Sequence, residues 1–180
     1  MSDVAAIQIR AGDVIDRSPH SVDAMLESQH NFSWSCHRSV RKVGTPLGSR
    51  GWCTPAMHIM SGMNYVPPLA HWKYARELIV MRNISRVSII AASHYNLSDR
   101  FAAPNYRKSC EYIKRVGSFF ASANLSVRYR IGRSPDDDIR FMSHARVVAT
   151  SGGSFARYAS RASELQGAEV VRFDGSDAKS

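Results

Sequence analysis

Arg10 and Asp13 stand directly behind an apolar run, Val4 to Ile9 (VAAIQI). A guanidinium fixed at the end of a buried strand can grip a diphosphate bidentately, with Asp13 orienting it or capping the next segment. A surface Arg–Asp pair would leave the same trace. The second group is Thr150 to Phe155, T-S-G-G-S-F. There a short β-prone run, Val147 to Ala149, ends and a helical spacing begins. Such a turn aims the backbone N–H groups of Ser151, Gly152, Gly153 and Ser154 at one point, at the positive end of a helix dipole. That point suits a phosphate, with Phe155 beside it, although Ser154 as an ordinary N-cap accounts for the same residues. Ser93 and His94 end another apolar run and can meet a ribose or an acceptor. Arg133 follows a further one and can reach a phosphate or a base edge.

Other chemistries find less support. Asp136, Asp137 and Asp138 have the look of a metal cluster, but they follow Ser134-Pro135 and open a helix, so dipole capping explains them with less assumption. The seven histidines show no H-x-x-x-H spacing. Neither a dinucleotide fingerprint, nor a P-loop, nor a nucleophile elbow occurs. The three cysteines form no C-x-x-C, which argues against a zinc ribbon or a redox pair. Cys36 and Cys53 either bridge the loop between them in an oxidising compartment or remain thiols with Cys110.

The elements that must position these residues can be read in order. Strands are expected at Val4–Ile9, Val87–Ala92, Leu125–Tyr129, Val147–Ala149 and Ala168–Phe173. Helices are expected at Ser21–Glu27, from Pro67-Pro68 to about Arg82, at Tyr106–Ala123, Asp136–His144 and Phe155–Ser163. Ile139, Met142 and Ala145 are expected to line one helical face. Residues of about 30–64 lack a sustained period and read as a long irregular insertion. The tail from 174 is polar. Strands alternating with helices imply one α/β domain over 1–173, a Rossmann-like three-layer arrangement around a mostly parallel sheet of about five strands. Such sheets bind ligands beyond the carboxyl ends of their strands. The rule selects the turns Arg10–Asp13, Ser93–Ser98, Ile131–Pro135 and Thr150–Phe155.

At 180 residues and 44% hydrophobic content, the chain has the length and composition of a single globular domain. No apolar run reaches the ~18 residues of a membrane span, and the N-terminus lacks the features of a signal peptide. If the chain is complete, a cytoplasmic location is expected. Against this, Asn31, Asn83, Asn96 and Asn124 all lie in N-x-Ser sequons, which hints at luminal ancestry. The net charge of +9 is uneven: residues 66–133 hold twelve Lys/Arg against three Asp/Glu. A basic segment can attract nucleic acid, an acidic membrane surface or a phosphorylated small molecule, or can be a solvated face.

Taken in order, these pieces resemble the donor-binding half of GT-B fucosyltransferases, nearest the α-1,2-fucosyltransferase and protein O-fucosyltransferase group. AIQIRAGDVI is similar to that group's first motif, a strand followed by His-x-Arg-Arg-Gly-Asp. VSIIAASHYN is similar to its second strand. DDDIRFMSHARVVATSGGSFARYAS resembles its third motif, and YVPPLAHWKYARELI a Pro-Pro-Leu helix start. The resemblance implies GDP-fucose as donor and metal-independent, inverting transfer to a hydroxyl of a glycan or protein. It makes Arg10 the residue that grips the diphosphate and helps GDP leave, and Asp13 the motif's closing aspartate. Asp138 and Ser154 would hold the nucleotide and its phosphates. Gln8 stands where the family has His, and Ala11 where many members have a second Arg. The acceptor lobe, normally N-terminal, is expected to be missing, so a separate lobe or a homo-oligomer would complete the site. The alternatives are a catalytically inactive member that acts as a binding module, and a nucleic-acid-binding domain using the basic segment.

Overall fold

The computed structural model describes residues 2–16, 18, 20–27, 66–94 and 106–173. The irregular stretch at about 30–64 with Cys36 and Cys53, the segment 95–104, the tail from 174 and the sequons at Asn31 and Asn96 lie outside the described residues.

The first strand, β1 (Ser2–Gly12), runs on past the apolar stretch that announces it. Arg10, expected in a turn, is therefore a strand residue, and Asp13 opens a short helix, α1 (Asp13–Asp16). Gly12 makes the corner with φ 93°, a conformation that costs a glycine nothing. Helix α2 (Val22–Glu27) follows, capped by Ser21, whose Oγ accepts the Ala24 N–H at 3.1 Å. Helix α3 (Leu69–Met81) starts after Pro67-Pro68 as its sequence predicts. Then come β2 (Arg86–His94), α4 (Arg107–Ala121), β3 (Ser126–Ile131) and α5 (Pro135–Ser143). The chain continues through β4 (Ala145–Thr150), α6 (Ser154–Leu165) and β5 (Glu169–Arg172). Several boundaries differ from expectation; β3 runs on through Arg130 and Ile131, the latter expected in the turn, because they pair with Ile90 and Ala91 of β2. Ser93 and His94 extend β2 because they pair with Ala11 and Gly12 of the long β1. Ala145, expected on the inner face of α5, opens β4 after the helix ends at Ser143.

All pairings in the five-stranded sheet are parallel, in the order β3-β2-β1-β4-β5. The chain builds outward from β1 to β3, then returns to lay β4 on the other side of β1. The order reverses between β1 and β4, the point at which open α/β sheets leave a crevice at their carboxyl edge. The fold is thus α/β and Rossmann-like. Helices lie on both faces, so strand residues are apolar on both sides. One face packs Ile7, Ile9, Ile89 and Val147 against Trp72 and Ile79 of α3 and Tyr112, Val116 and Phe120 of α4. The other face is lined by smaller residues, Ala6, Ile90 and Val148, against Met142 of α5 and Ala159 of α6. No helix among the described residues is long and apolar enough to cross a membrane.

A buried relay pins the two helices of the larger face. Trp72 Nε1 donates to Tyr112 Oη at 2.9 Å, and Tyr112 Oη donates to the Pro67 carbonyl at 2.5 Å. Burial pushes the Tyr112 phenol well above its ordinary range, the Trp72 hydrogen bond opposing weakly.

Two sequons have a structural cause. Asn83 (φ 53°) and Asn124 (φ 60°) each take the left-handed conformation just past a helix, α3 and α4 respectively. After Gly, asparagine is the residue that adopts it most readily. The next residues, Ile84 and Leu125, are buried, and the Ser126 N–H donates to the Ser85 carbonyl at 2.9 Å. The Asn-apolar-Ser pattern here is a helix-to-strand connector used twice.

Candidate functional site

The site is built on the difference in length between β1 and β4. Gln8 pairs with Thr150, the last residue of β4. One more ladder bond follows, from the Ser151 N–H to the Gln8 carbonyl at 2.9 Å. Beyond it the Ser151 side chain stands in for the strand. The Arg10 N–H donates to Ser151 Oγ at 2.7 Å, and Ser151 Oγ donates to Gln8 Oε1 at 3.2 Å. A backbone amide can only donate, so Ser151 Oγ accepts from Arg10 and its own proton is available to Gln8 Oε1. A second serine holds the tip of β1. The Gly12 N–H donates to Ser109 Oγ of α4 at 2.9 Å, and Ser109 Oγ donates to Asp16 Oδ2 at 2.5 Å. Arg10 thus sits between two backbone anchors from elements distant in sequence.

Gln8 and Arg10 of β1, Ile90 of β2, Pro135 and Asp138 of α5, and Gly152 to Phe155 line a cleft of about 240 Å³ at the β1–β4 switch point. Gly153 has φ 114° and is the N-cap of α6. The alternative that Ser154 is an ordinary N-cap does not hold: Ser154 is the first helical residue, because the chain needs glycine to turn the corner. The first N–H groups of α6 have no partner within their own helix and lie at its positive end. A second hollow, of about 400 Å³, lies along the outer face of α4 between Arg107 and Ser118. It is lined by that helix alone, so the switch-point cleft is the better candidate.

Asp138 is the unusual member. Its two predecessors, Asp136 and Asp137, are exposed in the first turn of α5, where Ser134 Oγ accepts the Asp137 N–H at 3.2 Å. Asp138 is 1% exposed, and its Oδ1 makes no hydrogen bond among the described residues. Arg130 Nη2 is the nearest cation, at 3.5 Å. Burial raises the Asp138 carboxyl above the ordinary aspartate value; Arg130 opposes that shift, Asp137 adds to it and Arg133 opposes it. No three His, Cys, Asp or Glu side chains gather as a metal site among the described residues.

Of the residues singled out in the sequence, Arg10, Asp138, Gly152, Gly153, Ser154 and Phe155 come together in one cleft, with Ser151 directly behind them. Ser93 and His94 lie at the same sheet edge, at the end of β2. Asp13 follows at the start of α1, and Arg133 is exposed on the loop before α5, outside the residues that line the cleft. Sequence reading did not pick out Arg130, Ser109 or Phe141. The strand alternation could have found Arg130, because Val127 and Tyr129 take one face of β3 and leave Arg128 and Arg130 the other.

Among the described residues, several cations of the basic stretch are tied to neighbours. Arg82 pairs with Glu169, Arg115 with Asp23 and Arg130 with Asp138, while Lys108 donates to the Ser18 and His20 carbonyls. Arg76 lies over the Phe119 ring at 3.9 Å.

No family model and no curated protein matches the chain. Among solved structures the chain is similar to POFUT1 in complex with GDP-fucose, with a TM-score of 0.49 and 10% sequence identity, over 96% of this chain and 42% of that one. It is similar to POFUT1 in complex with GDP at 0.48 and 10%, over 96% of this chain and 43% of that one. The chain thus spans less than half the length of these structures.

Proposed function

We propose that this chain is a fucosyltransferase-like, nucleotide-sugar-binding domain, with GDP-fucose or a close relative as the donor. The observation that carries the reading is the meeting of Arg10, Asp138 and the start of α6 in one cleft at the topological switch point. Arg10 offers a planar cation to a diphosphate, and the free N–H groups of α6 offer a second, partly positive surface. A buried carboxylate that lines the cleft accepts from paired N–H donors, and guanine carries such an edge in N1–H and N2–H₂. Adenine presents an acceptor beside its amino group, and uracil flanks its single N–H with carbonyls. The cleft therefore favours guanine nucleotides.

In an inverting transfer the acceptor oxygen forms a bond to the anomeric carbon as the bond to the β-phosphate oxygen breaks. Negative charge grows on the departing diphosphate, and Arg10 is aimed to stabilise it. The acceptor proton goes to a base outside the residues described for this cleft. The direct test is a thermal-shift panel of GDP, GDP-fucose, UDP-sugars and ADP. GDP and GDP-fucose are expected to raise Tm, by about 2.7 kcal/mol of added stability at a hundredfold excess over Kd. UDP-sugars and ADP are expected to do less. No shift with millimolar GDP would contradict the reading.

Gln8 favours one alternative within the same class. Its neutral amide, tied to Ser151, lines the cleft and supplies no charge to the diphosphate. A non-catalytic binding module with this cleft would bind GDP without transferring sugar to any acceptor offered.

A further inference from the structure

The cleft is backed by a side chain that its sequence position does not advertise. Arg130 is paired in register with Ile90, which is paired with Gln8, so the three form one row across the sheet on the cleft face. The Arg130 guanidinium lies with Cζ 4.3 Å from the centre of the Phe141 ring, and its Nη2 is 3.5 Å from Asp138 Oδ1. Its side chain is 28% exposed and that of Asp138 2%. Both Arg130 Nε and Asp138 Oδ1 are buried without a hydrogen bond among the described residues. A cation held over a ring face is fixed in place, and here its Nη2 is the group nearest the carboxylate.

We propose that Arg130 is the positioning residue of the cleft: stacked on Phe141, it holds the Asp138 carboxylate charged and in place to accept N–H groups of the ligand. The proposal rests on the nucleotide reading above. Its logic is electrostatic. A buried carboxylate without a cation takes up a proton, and a protonated carboxyl then offers a donor where the ligand offers one too. The charged groups that bear on Asp138 are Arg130 of β3, Arg133 before α5 and Asp137 of α5, with Arg10 of β1 on the same cleft. The start of α6 contributes the neutral Ser154 and Phe155 to the lining. Arg130 acts most strongly of the cations and is the one seen paired with Asp138.

The test combines two readouts on the full chain. One is the carboxyl ¹³C titration of Asp138 in the free protein, assigned with Asp138→Asn. The other is GDP affinity from pH 5 to 8 for wild type, Arg130→Met, Arg130→Lys and Phe141→Leu. In Arg130→Met the Asp138 titration should move upward, GDP affinity at pH 7 should fall about tenfold, and that loss should shrink as pH rises. Arg130→Lys should recover part of both effects, which loss of fold or packing would not predict. Should Arg130→Met fail to fold, Phe141→Leu and Arg130→Lys decide, each with a smaller upward movement expected. An Asp138 titration that stays put in these variants overturns the role of Arg130, whether or not GDP binds. A wild type that binds no GDP overturns instead the nucleotide reading, and with it the ligand half of this proposal.

Discussion

Ser151 Oγ lies 2.7 Å from the backbone nitrogen of Arg10 and 3.2 Å from the side-chain oxygen of Gln8. One hydroxyl thus completes the ladder where β4 has run out and sets the amide beside it. Ser151→Ala leaves the Arg10 N–H without this acceptor. The expected cost is about 1–2 kcal/mol of stability, read by urea denaturation, with weaker GDP binding as a second effect. A variant as stable as wild type would show that water or a backbone shift replaces the hydroxyl without loss.

Asp138 makes a pH prediction with a definite sign. Burial raises its folded-state pKa above the unfolded value. Such a carboxyl contributes stability that is fully present below the unfolded value, about 3.9, and that is lost as pH rises through the folded value. Asp138→Asn removes the charge that must be buried. The variant should be more stable than wild type at pH 7, and the gap should close towards pH 3. Its GDP binding should be impaired, the trade expected of a group kept for a ligand. Thermal unfolding of both proteins across pH measures this; a gap that widens on acidification would contradict it.

Tyr112 both donates and accepts inside the larger core. Tyr112→Phe keeps the ring but strands the Trp72 N–H and the Pro67 carbonyl, both at buried residues. A loss of about 2–3 kcal/mol is expected in denaturant unfolding. A change below about 0.5 kcal/mol would mean that the relay is not a working contact.

The connectors at Asn83 and Asn124 can be told from mere sequons by substitution. Asn124→Gly should be neutral or slightly stabilising, and Asn124→Ala should cost about 1 kcal/mol, because alanine pays for the left-handed backbone. Equal stability of the two variants would remove the structural explanation.

The sheet was legible because its strands are apolar on both faces and are separated by amphipathic helices. The carboxyl-edge rule then pointed to Arg10 and to the turn at 150–155 with no further motif. What escaped reading depends on partners far away in sequence. The length of β1 is set by Ser109 and Ser151, neither of which is near it in the chain. Asp138 looks like its exposed neighbours Asp136 and Asp137 until the helix turns it inward under Arg130. Arg130 itself fell between the expected end of β3 at Tyr129 and the turn from Ile131, so its alternation with Arg128 went unused. At Asn83 and Asn124 the sequons have a second, local reading: Asn-apolar-Ser is also a compact way out of a helix into a strand.

Isothermal titration of GDP into the wild-type chain and into Arg10→Ala tests the central claim most directly. A shared diphosphate site of Arg10 and the α6 start predicts saturable binding to wild type and an affinity lower by about a hundredfold in the variant, the loss expected when a charge-assisted contact to phosphate is removed. No binding heat for wild type at millimolar GDP, or equal affinity in the two proteins, would contradict it.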